Sequence, residues 1–269
     1  MGTAVIDGVN GVAIGDNRHG VVADLRNAYT RLTQIVQGSD IHHLGMCVHG
    51  HFPWSQQATG LSRRLIRWPM DRRQPTVVNV GYRSTNYWVV SASNNRLLID
   101  IGWPGTMGDL RAQMRRMDVA LHQLRYALAT HYHIDHAGLG QELKLAQVPL
   151  LIVDVQLPWV EKMKRWTKPA DRYVPITTDD SVVVDAGEAE RRLRDIGIDA
   201  TVLHTPGHSD DSVSVVLKNG RAFTGDLPSL DHAEPDRAAL VVASWRDIVA
   251  AGGHEVYPAH GLIRPSARW

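Results

Sequence analysis

The stretch THYHIDHAG, residues 130–138, places three histidines and one aspartate within six consecutive positions. It follows an apolar run, residues 126–130, that predicts a short buried strand. Imidazole is the commonest metal ligand in proteins. Buried imidazoles and carboxylates without partners are costly, so a cluster of this density is expected to share one. The stretch therefore predicts a metal site at the end of a strand rather than a histidine-rich surface loop.

The spacing within the stretch suggests which side chains project together. Alternate side chains of an extended chain lie on one face, so His131, His133 and Asp135 are expected to point toward a common site. Tyr132 and Ile134 are then expected to face the core. The last histidine breaks the alternation and is expected where the chain turns into a helix. The stretch thus offers two histidines to one ion and an aspartate–histidine pair to a second.

Three later segments repeat one design, in which a predicted strand leads through a tight turn to a ligand-type residue. TPGHS presents His208, FTGDLP ends a strand at Asp226, and YPAHG presents His260 in a Pro/Gly turn. A further histidine, His204, lies beside the TPGHS turn and is expected to hydrogen-bond a ligand or its support. Each segment alone is weak evidence, but together they supply the ligands that the first cluster lacks.

The pattern of predicted elements favours an α+β fold. From Thr76 onward strands alternate with helices, but hairpins occur at both ends of the series, and Asn219-Gly220 is a strong hairpin signal. This is not the strict alternation of a doubly wound parallel sheet. We predict a mixed-sheet sandwich with helices outside, formed by residues 76–269, and an N-terminal extension of uncertain role, residues 1–75.

Composition excludes some classes of protein. The chain has 269 residues, a net charge of +1 and a single cysteine. Its global charge recruits neither nucleic acid nor anionic membrane, and one cysteine forms no intrachain disulfide. No signal peptide is evident, and the longest apolar runs are too short to span a membrane. We therefore expect a cytoplasmic protein without membrane or nucleic-acid partners. The sequence does not specify the oligomeric state, and a dimer is one option.

HYHIDHAG, TPGHS, TGD and PAHG occur in an order that resembles the metallo-β-lactamase-fold hydrolase superfamily, over about Thr76 to Gly261. IDIG, which contains Asp100, resembles that family's first motif. The resemblance implies an αββα four-layer sandwich with two divalent metal ions. It assigns the residues as follows: His131, His133 and His208 to the first ion, Asp135, His136 and His260 to the second, Asp226 as a bridge, and Asp100 as a hydrogen-bonding support.

The expected reaction is hydrolysis of an ester, lactone or thioester carbonyl in a small molecule by a metal-bound hydroxide, with Asp135 orienting the nucleophile. The mixed nitrogen and oxygen ligands suit zinc first, with iron or manganese as alternatives. A phosphodiesterase or nuclease is a second hypothesis, because basic residues could contact phosphate; these are Arg63, Arg64, Arg67, Arg72 and Arg73. A mononuclear iron dioxygenase of the same fold is a third, and a β-lactamase, which usually lacks the bridging aspartate, a fourth.

A second histidine-rich stretch, HHLGMCVHGH, matches no standard zinc module, since one cysteine cannot make a C-x-x-C pair. Its candidate residues are His42, His43, Cys47, His49 and His51. We favour a structural interpretation, either a surface loop or a segment across the mouth of the site.

Overall fold

A computed structural model describes residues 74–266. Residues 1–73 of the N-terminal extension lie outside the described residues, and with them the histidine-rich stretch and the five basic residues considered as phosphate contacts. The division into an extension and a hydrolase domain stays a prediction.

The first sheet contains four strands in the order β1-β2-β3-β4. The first three strands are antiparallel, and β3 and β4 are parallel, with helix α1 forming the crossover between them. The bounds are β1 Thr76–Asn79, β2 Trp88–Ala92, β3 Asn95–Ile99, α1 Met107–Arg116 and β4 Leu124–Leu128. Because parallel strands end at the same edge, the residues that follow β3 and β4 lie side by side.

The second sheet contains five strands in the order β11-β10-β9-β8-β7. The predicted hairpin at Asn219-Gly220 is confirmed, since β8 and β9 are antiparallel and Gly220 has a positive φ of 84°. Helix α6 connects β9 to the parallel strand β10. The bounds are β7 Ala200–His204, β8 Val213–Leu217, β9 Arg221–Gly225, α6 Ala238–Ala250, β10 Glu255–Pro258 and β11 Arg264–Pro265.

The two sheets pack against each other through a shared apolar core. Trp88, Val90 and Leu97 from the first sheet meet Val215 and Phe223 from the second, all nearly inaccessible to solvent. Burying one such side chain stabilises the fold by about 1.5–3 kcal/mol. Trp88 also donates its indole N–H to the Pro258 carbonyl, 3.1 Å away.

Helices cover the outer face of each sheet. Leu110 and Met114 of α1 pack on the first sheet, and Trp245 and Ile248 of α6 pack on the second. The predicted α+β sandwich with αββα layers is therefore confirmed. The remaining elements between β4 and β7 are α2 Ile134–Ala137, α3 Gly140–Leu145, β5 Leu151–Val153, α4 Leu157–Lys162, β6 Val182–Val184 and α5 Ala186–Asp195. Within residues 74–266, no helix has the length and apolar character needed to cross a membrane.

The sequence pattern also predicts one helix over residues 108–124 and another over residues 137–147, and the structure departs from both predictions. The helix expected over residues 108–124 ends at Arg116, because Asp118 takes a left-handed backbone with φ of 54°. The helix expected over residues 137–147 is two short helices, and the first already begins at Ile134. Ile134 is therefore half-buried rather than a core residue. Strand β11 was not predicted.

Gly138, the residue directly after α2, packs closely against Pro104, and this contact leads to a stability prediction. A Cβ at this position would lie 2.6 Å from the Pro104 nitrogen and closer still to its Cδ. We expect Gly138→Ala to lower the free energy of unfolding by about 1–3 kcal/mol, since overpacking forces the backbone to shift. The matched control is Gly108→Ala in α1, where a Cβ meets nothing within 4 Å. There we expect unchanged or up to about 1 kcal/mol higher stability. Chemical denaturation measures both, and equal effects would contradict the packing argument.

Candidate metal centre

The first three predicted ligands meet where strands β4 and β7 end. His131 is fully buried and its Nε2 lies 3.0 Å from Nδ1 of His133. His208, in the loop after β7, places its Nε2 3.1 Å from the same Nδ1. Nitrogens bound tetrahedrally to zinc at about 2.0–2.1 Å are about 3.3–3.4 Å apart. The three ring nitrogens are therefore spaced for one ion.

A second group lies beside the first. Asp135 Oδ2 is 3.4 Å from His136 Nε2 and 3.3 Å from His260 Nε2. Asp135 and His136 reach this position from the first turn of α2, not from an extended chain as the sequence suggested. The predicted alternation holds only as far as Tyr132, which is buried in the core, because the helix begins at the next residue but one.

Asp226 lies between the two groups. Its Oδ2 is 3.3 Å from His136 Nε2 and 3.7 Å from His208 Nε2, and its Oδ1 is 3.4 Å from His260 Nε2. Gly225, at the end of β9, has a positive φ of 56°, and a Cβ there would overlap the Thr130 side chain. Glycine at this position lets β9 approach β4 closely enough to place the carboxylate between both groups.

The donor set fits metal ions on chemical grounds. All seven predicted residues belong to one or more of three overlapping sets of three side chains. Within each set, the candidate ligand atoms lie within 4.8 Å of one another. His136 Nε2 and Asp226 Oδ1 are buried and have no hydrogen-bond partner. Buried polar atoms without partners are rare and costly, and a divalent cation would satisfy both. The structure brings the predicted residues together, and their role as metal ligands stays a proposal.

Two histidines of the first group favour the neutral form that metal binding requires. Burial lowers the pKa of His131 well below its ordinary value, and the neighbouring His136 lowers it further. Burial also lowers the pKa of His208, although Asp226 opposes that shift. At neutral pH these side chains can therefore offer a lone pair without first losing a proton.

The second group has the opposite electrostatics. Burial opposes the charged form of His136, but the carboxylate of Asp100 outweighs this and holds its pKa well above the ordinary value. Burial raises the pKa of Asp135 and Asp226, yet their electrostatic interactions with His136 outweigh it and lower both. The two carboxylates are ionised at neutral pH, and His136 would have to give up a proton for a cation to bind there.

One buried carboxylate supports a histidine of each group. Asp100 Oδ1 accepts hydrogen bonds from the Thr130 amide and hydroxyl, at 2.8 and 2.9 Å. Its Oδ2 lies 3.2 Å from His136 Nδ1, and the Thr130 hydroxyl is 3.2 Å from His131 Nδ1. With Asp100 beside Nδ1 of His136 and Thr130 beside Nδ1 of His131, Nε2 of both rings faces the site. The supporting role that the family resemblance implies for Asp100 stays a prediction.

His204 does not make the contact that the sequence suggested. It is exposed, and its Nε2 lies 2.7 Å from the Asp210 carbonyl rather than beside a predicted ligand. It ends strand β7, two residues beyond the buried Val202. His204 therefore closes the loop that carries His208 and does not orient a ligand directly.

Two buried side chains that the sequence did not reveal hold the backbone around the first group. Asp211 accepts the Tyr132 amide hydrogen with its Oδ2 at 2.7 Å. Gln156 donates its Nε2 to the carbonyls of Ala129 and Thr130, at 2.9 and 3.2 Å. Asp211 lies 79 residues from its partner along the chain, so no local spacing identifies it.

The loop between β1 and β2 supports the second group. Thr85 donates its hydroxyl to Asp135 Oδ2 at 3.2 Å. The Ser84 carbonyl lies 2.7 Å from His260 Nδ1, so that nitrogen carries the proton. This contact leaves Nε2 of His260 free to face the site. Thr85 and Ser84 lie in a stretch without histidine, aspartate or glutamate, which gave no signal of a metal site in the sequence.

Comparisons with known proteins agree with this geometry. A model of the metallo-beta-lactamase superfamily matches residues 80–260. The chain is 25% identical over 246 residues to an atrochrysone carboxyl ACP thioesterase from Aspergillus terreus, covering 88% of this chain and 67% of that protein. It is 24% identical over 198 residues to a probable metallo-hydrolase from Methanocaldococcus jannaschii, covering 68% and 90%.

A lactamase-like protein from Pestalotiopsis microspora is 27% identical over 186 residues, covering 67% of this chain and 50% of that protein. The chain thus spans half the length of this relative. Among solved structures, a metallo-beta-lactamase family protein from Thermus thermophilus matches with a TM-score of 0.55 at 16% identity, covering 72% and 75%. A Cronobacter sakazakii metallo-beta-lactamase matches with a TM-score of 0.52 at 18% identity, covering 70% and 78%. At these identities the structures establish the fold alone.

The role of Asp100 can be tested by Asp100→Asn, which tolerates the left-handed backbone, φ of 58°, but removes the charge beside His136. We expect metal affinity to fall about 10- to 100-fold, as for other supports of metal ligands. Asp118→Asn is the control, because Asp118 shares the left-handed backbone, φ of 54°, but is exposed. Competition with a chromogenic chelator measures both, and unchanged affinity in Asp100→Asn would refute the supporting role.

Proposed function

Since this chain belongs to the metallo-beta-lactamase superfamily, we propose that it is a dinuclear metal-dependent hydrolase of a small-molecule ester, lactone or thioester. Superfamily membership supports a metal-dependent hydrolase in general. The number of ions, the metal and the substrate are our proposals. The observation that carries the dinuclear proposal is the carboxylate of Asp226, which lies within 3.3–3.7 Å of histidine nitrogens from both groups.

The chain's own residues are arranged for hydrolysis of a carbonyl compound. Two bound divalent ions would supply hydroxide at neutral pH and polarise the carbonyl oxygen. Asp135 presents a carboxylate held by the Thr85 hydroxyl, and we propose that it orients the attacking hydroxide. The two carboxylates neutralise only part of the charge of two divalent ions. The remaining positive charge suits a substrate that becomes anionic as it reacts.

Zinc is the metal we propose first. The site combines five histidine nitrogens with two carboxylates and contains no sulfur ligand among the described residues. Zinc binds such mixed nitrogen and oxygen sites readily, and geometry alone leaves iron and manganese as competitors.

A thioester is the scissile bond we favour. The support is the similarity over 88% of this chain to a protein whose name specifies thioester hydrolysis. The bridging position of Asp226 adds to this choice, because β-lactamases of the superfamily usually lack an aspartate there.

Metal stoichiometry tests the dinuclear proposal. We expect two ions per chain in the wild type and about one after either His133→Ala or His260→Ala, since each removes a ligand from a different group. His122→Ala is the control, because His122 is exposed and belongs to neither group. Elemental analysis after dialysis gives the counts. A wild-type content of one iron per chain would instead support the mononuclear dioxygenase.

Hydrolysis is tested with matched thioesters, esters, lactones, β-lactams and phosphodiesters. We expect thioesters and esters to be cleaved, and we expect a chelator to abolish the activity and added zinc to restore it. The rate loss should reach at least about a thousandfold, because removal of the ions removes the source of hydroxide at neutral pH. Cleavage that survives full metal removal, or of phosphodiesters alone, would overturn the proposal.

A further inference from the structure

We propose that a pocket beside the metal centre binds an anionic group carried by the substrate. The pocket is a cavity of about 340 Å³ whose walls include Arg83, Trp103 and Arg172; it is called the arginine pocket below. This inference rests on the proposed function, because the anion is part of the proposed substrate. The residues that would bind the anion are different from the proposed metal ligands.

The arginine pocket is built on the same loops as the metal centre. Arg83 immediately precedes Ser84, whose carbonyl lies 2.7 Å from His260 Nδ1. On the opposite wall, Pro104 packs against Gly138 at the end of α2, the helix that carries two predicted ligands. A hydrogen bond between the hydroxyls of Tyr82 and Thr106 joins the two walls. A substrate held over the ions can therefore extend into the pocket.

Both guanidinium groups are available. Arg83 and Arg172 are exposed, and neither forms an ion pair or side-chain hydrogen bond with another residue in 74–266. Some other arginines of residues 74–266 are paired, as Arg237 is with Asp210 at 2.6 Å. The wall also contains Asp171, whose Oδ2 already accepts the Lys168 amide hydrogen at 2.6 Å. Two arginines against one carboxylate leave the pocket with an excess of positive charge.

The backbone is shaped to present these two side chains. Arg83 and Arg172 both have left-handed backbones, with φ of 60° and 56°, a conformation uncommon for residues other than glycine. The stem of Arg172 lies against Gly105, where an added Cβ would approach its Cβ and Cδ to 3.2 Å. Uncommon backbone conformations of this kind often occur at ligand sites. Here two of them lie on one cavity and carry its two cations.

The chemistry of the pocket defines the class of ligand. Guanidinium groups form paired, charge-assisted hydrogen bonds with carboxylate and phosphate oxygens. Trp103 adds an aromatic wall that suits the aliphatic part of the substrate next to the anion. The anionic group belongs either to the acyl part, as a carboxylate, or to the leaving group, as a phosphate.

The acyl source is tested with the S-phenyl thioester of hexanoic acid and the S-phenyl monothioester of adipic acid, whose acyl chains have equal length and differ by one carboxylate. We expect Arg83→Gln and Arg172→Gln each to lower kcat/KM for the anionic thioester by about three- to fivefold, as for other exposed charged contacts. The double variant should lose about tenfold or more. The neutral thioester should be hydrolysed at the wild-type rate throughout, which shows that the variants remain folded.

The leaving-group source is tested with the acetyl thioesters of pantetheine and of phosphopantetheine. An arginine-dependent preference for the phosphorylated compound identifies the leaving group as the source of the anion, and a preference for the adipic monothioester identifies the acyl part. Arg115→Gln is the matched control, because Arg115 is an exposed arginine in the last turn of α1. We expect it to change none of the rates. The preference should also fall as salt is added, since exposed charges are screened.

A binding measurement separates the pocket from the proposed activity. Calorimetric titration of the metal-loaded wild type and double variant with adipate and with inorganic phosphate should show about tenfold weaker binding of at least one anion by the variant. Hydrolysis of the neutral thioesters with no arginine dependence of rate or binding would overturn the pocket and leave the proposed function standing. Arginine-dependent binding without any hydrolysis would overturn the proposed function and leave the pocket standing.

Discussion

The buried carboxylate of Asp100 is the constraint on which the arrangement of the site depends. It lies just beyond β3, beside the end of the parallel strand β4, and its amide donates to the Leu128 carbonyl at 2.9 Å. A charge buried to this extent is tolerated only when it is hydrogen-bonded and paired. Thr130 supplies the hydrogen bonds and His136 the opposite charge. Folding of the first sheet and orientation of a histidine from each group are therefore one event.

The protein atoms alone do not meet the hydrogen-bonding and charge requirements of the side chains around this carboxylate. His131 favours the neutral form, His136 the charged form, and Asp135 and Asp226 are ionised. Buried atoms of His136 and Asp226 have no hydrogen-bond partner. Bound cations would satisfy them and displace the His136 proton. Because ligands that bind the folded chain stabilise it by mass action, metal binding and stability are coupled in such a site.

The sequence predicted those features that are written in short segments. Each proposed ligand follows a strand through a tight turn, so the residues next to it form a recognisable motif. The αββα layers follow from hairpins and crossovers of characteristic spacing. Local alternation failed at Ile134, because the helix begins there and changes the period of the chain. Asp211, Gln156 and Thr85 escaped prediction because each contacts a residue that lies 26 to 79 positions away along the chain. Such contacts exist only once distant segments have come together in the folded chain.

The proposed metal site and the proposed arginine pocket rest on different parts of the chain. The proposed ligands come from strand ends and from a helix packed on the core, where Pro104 and Gly138 leave little room for change. Arg83 and Arg172 lie on exposed backbone outside the regular elements. Substitutions there leave the core and the proposed ligands intact. A chain built in this way could keep its chemistry while its substrate changes, and the ligand motifs would then specify the reaction and the loops the compound.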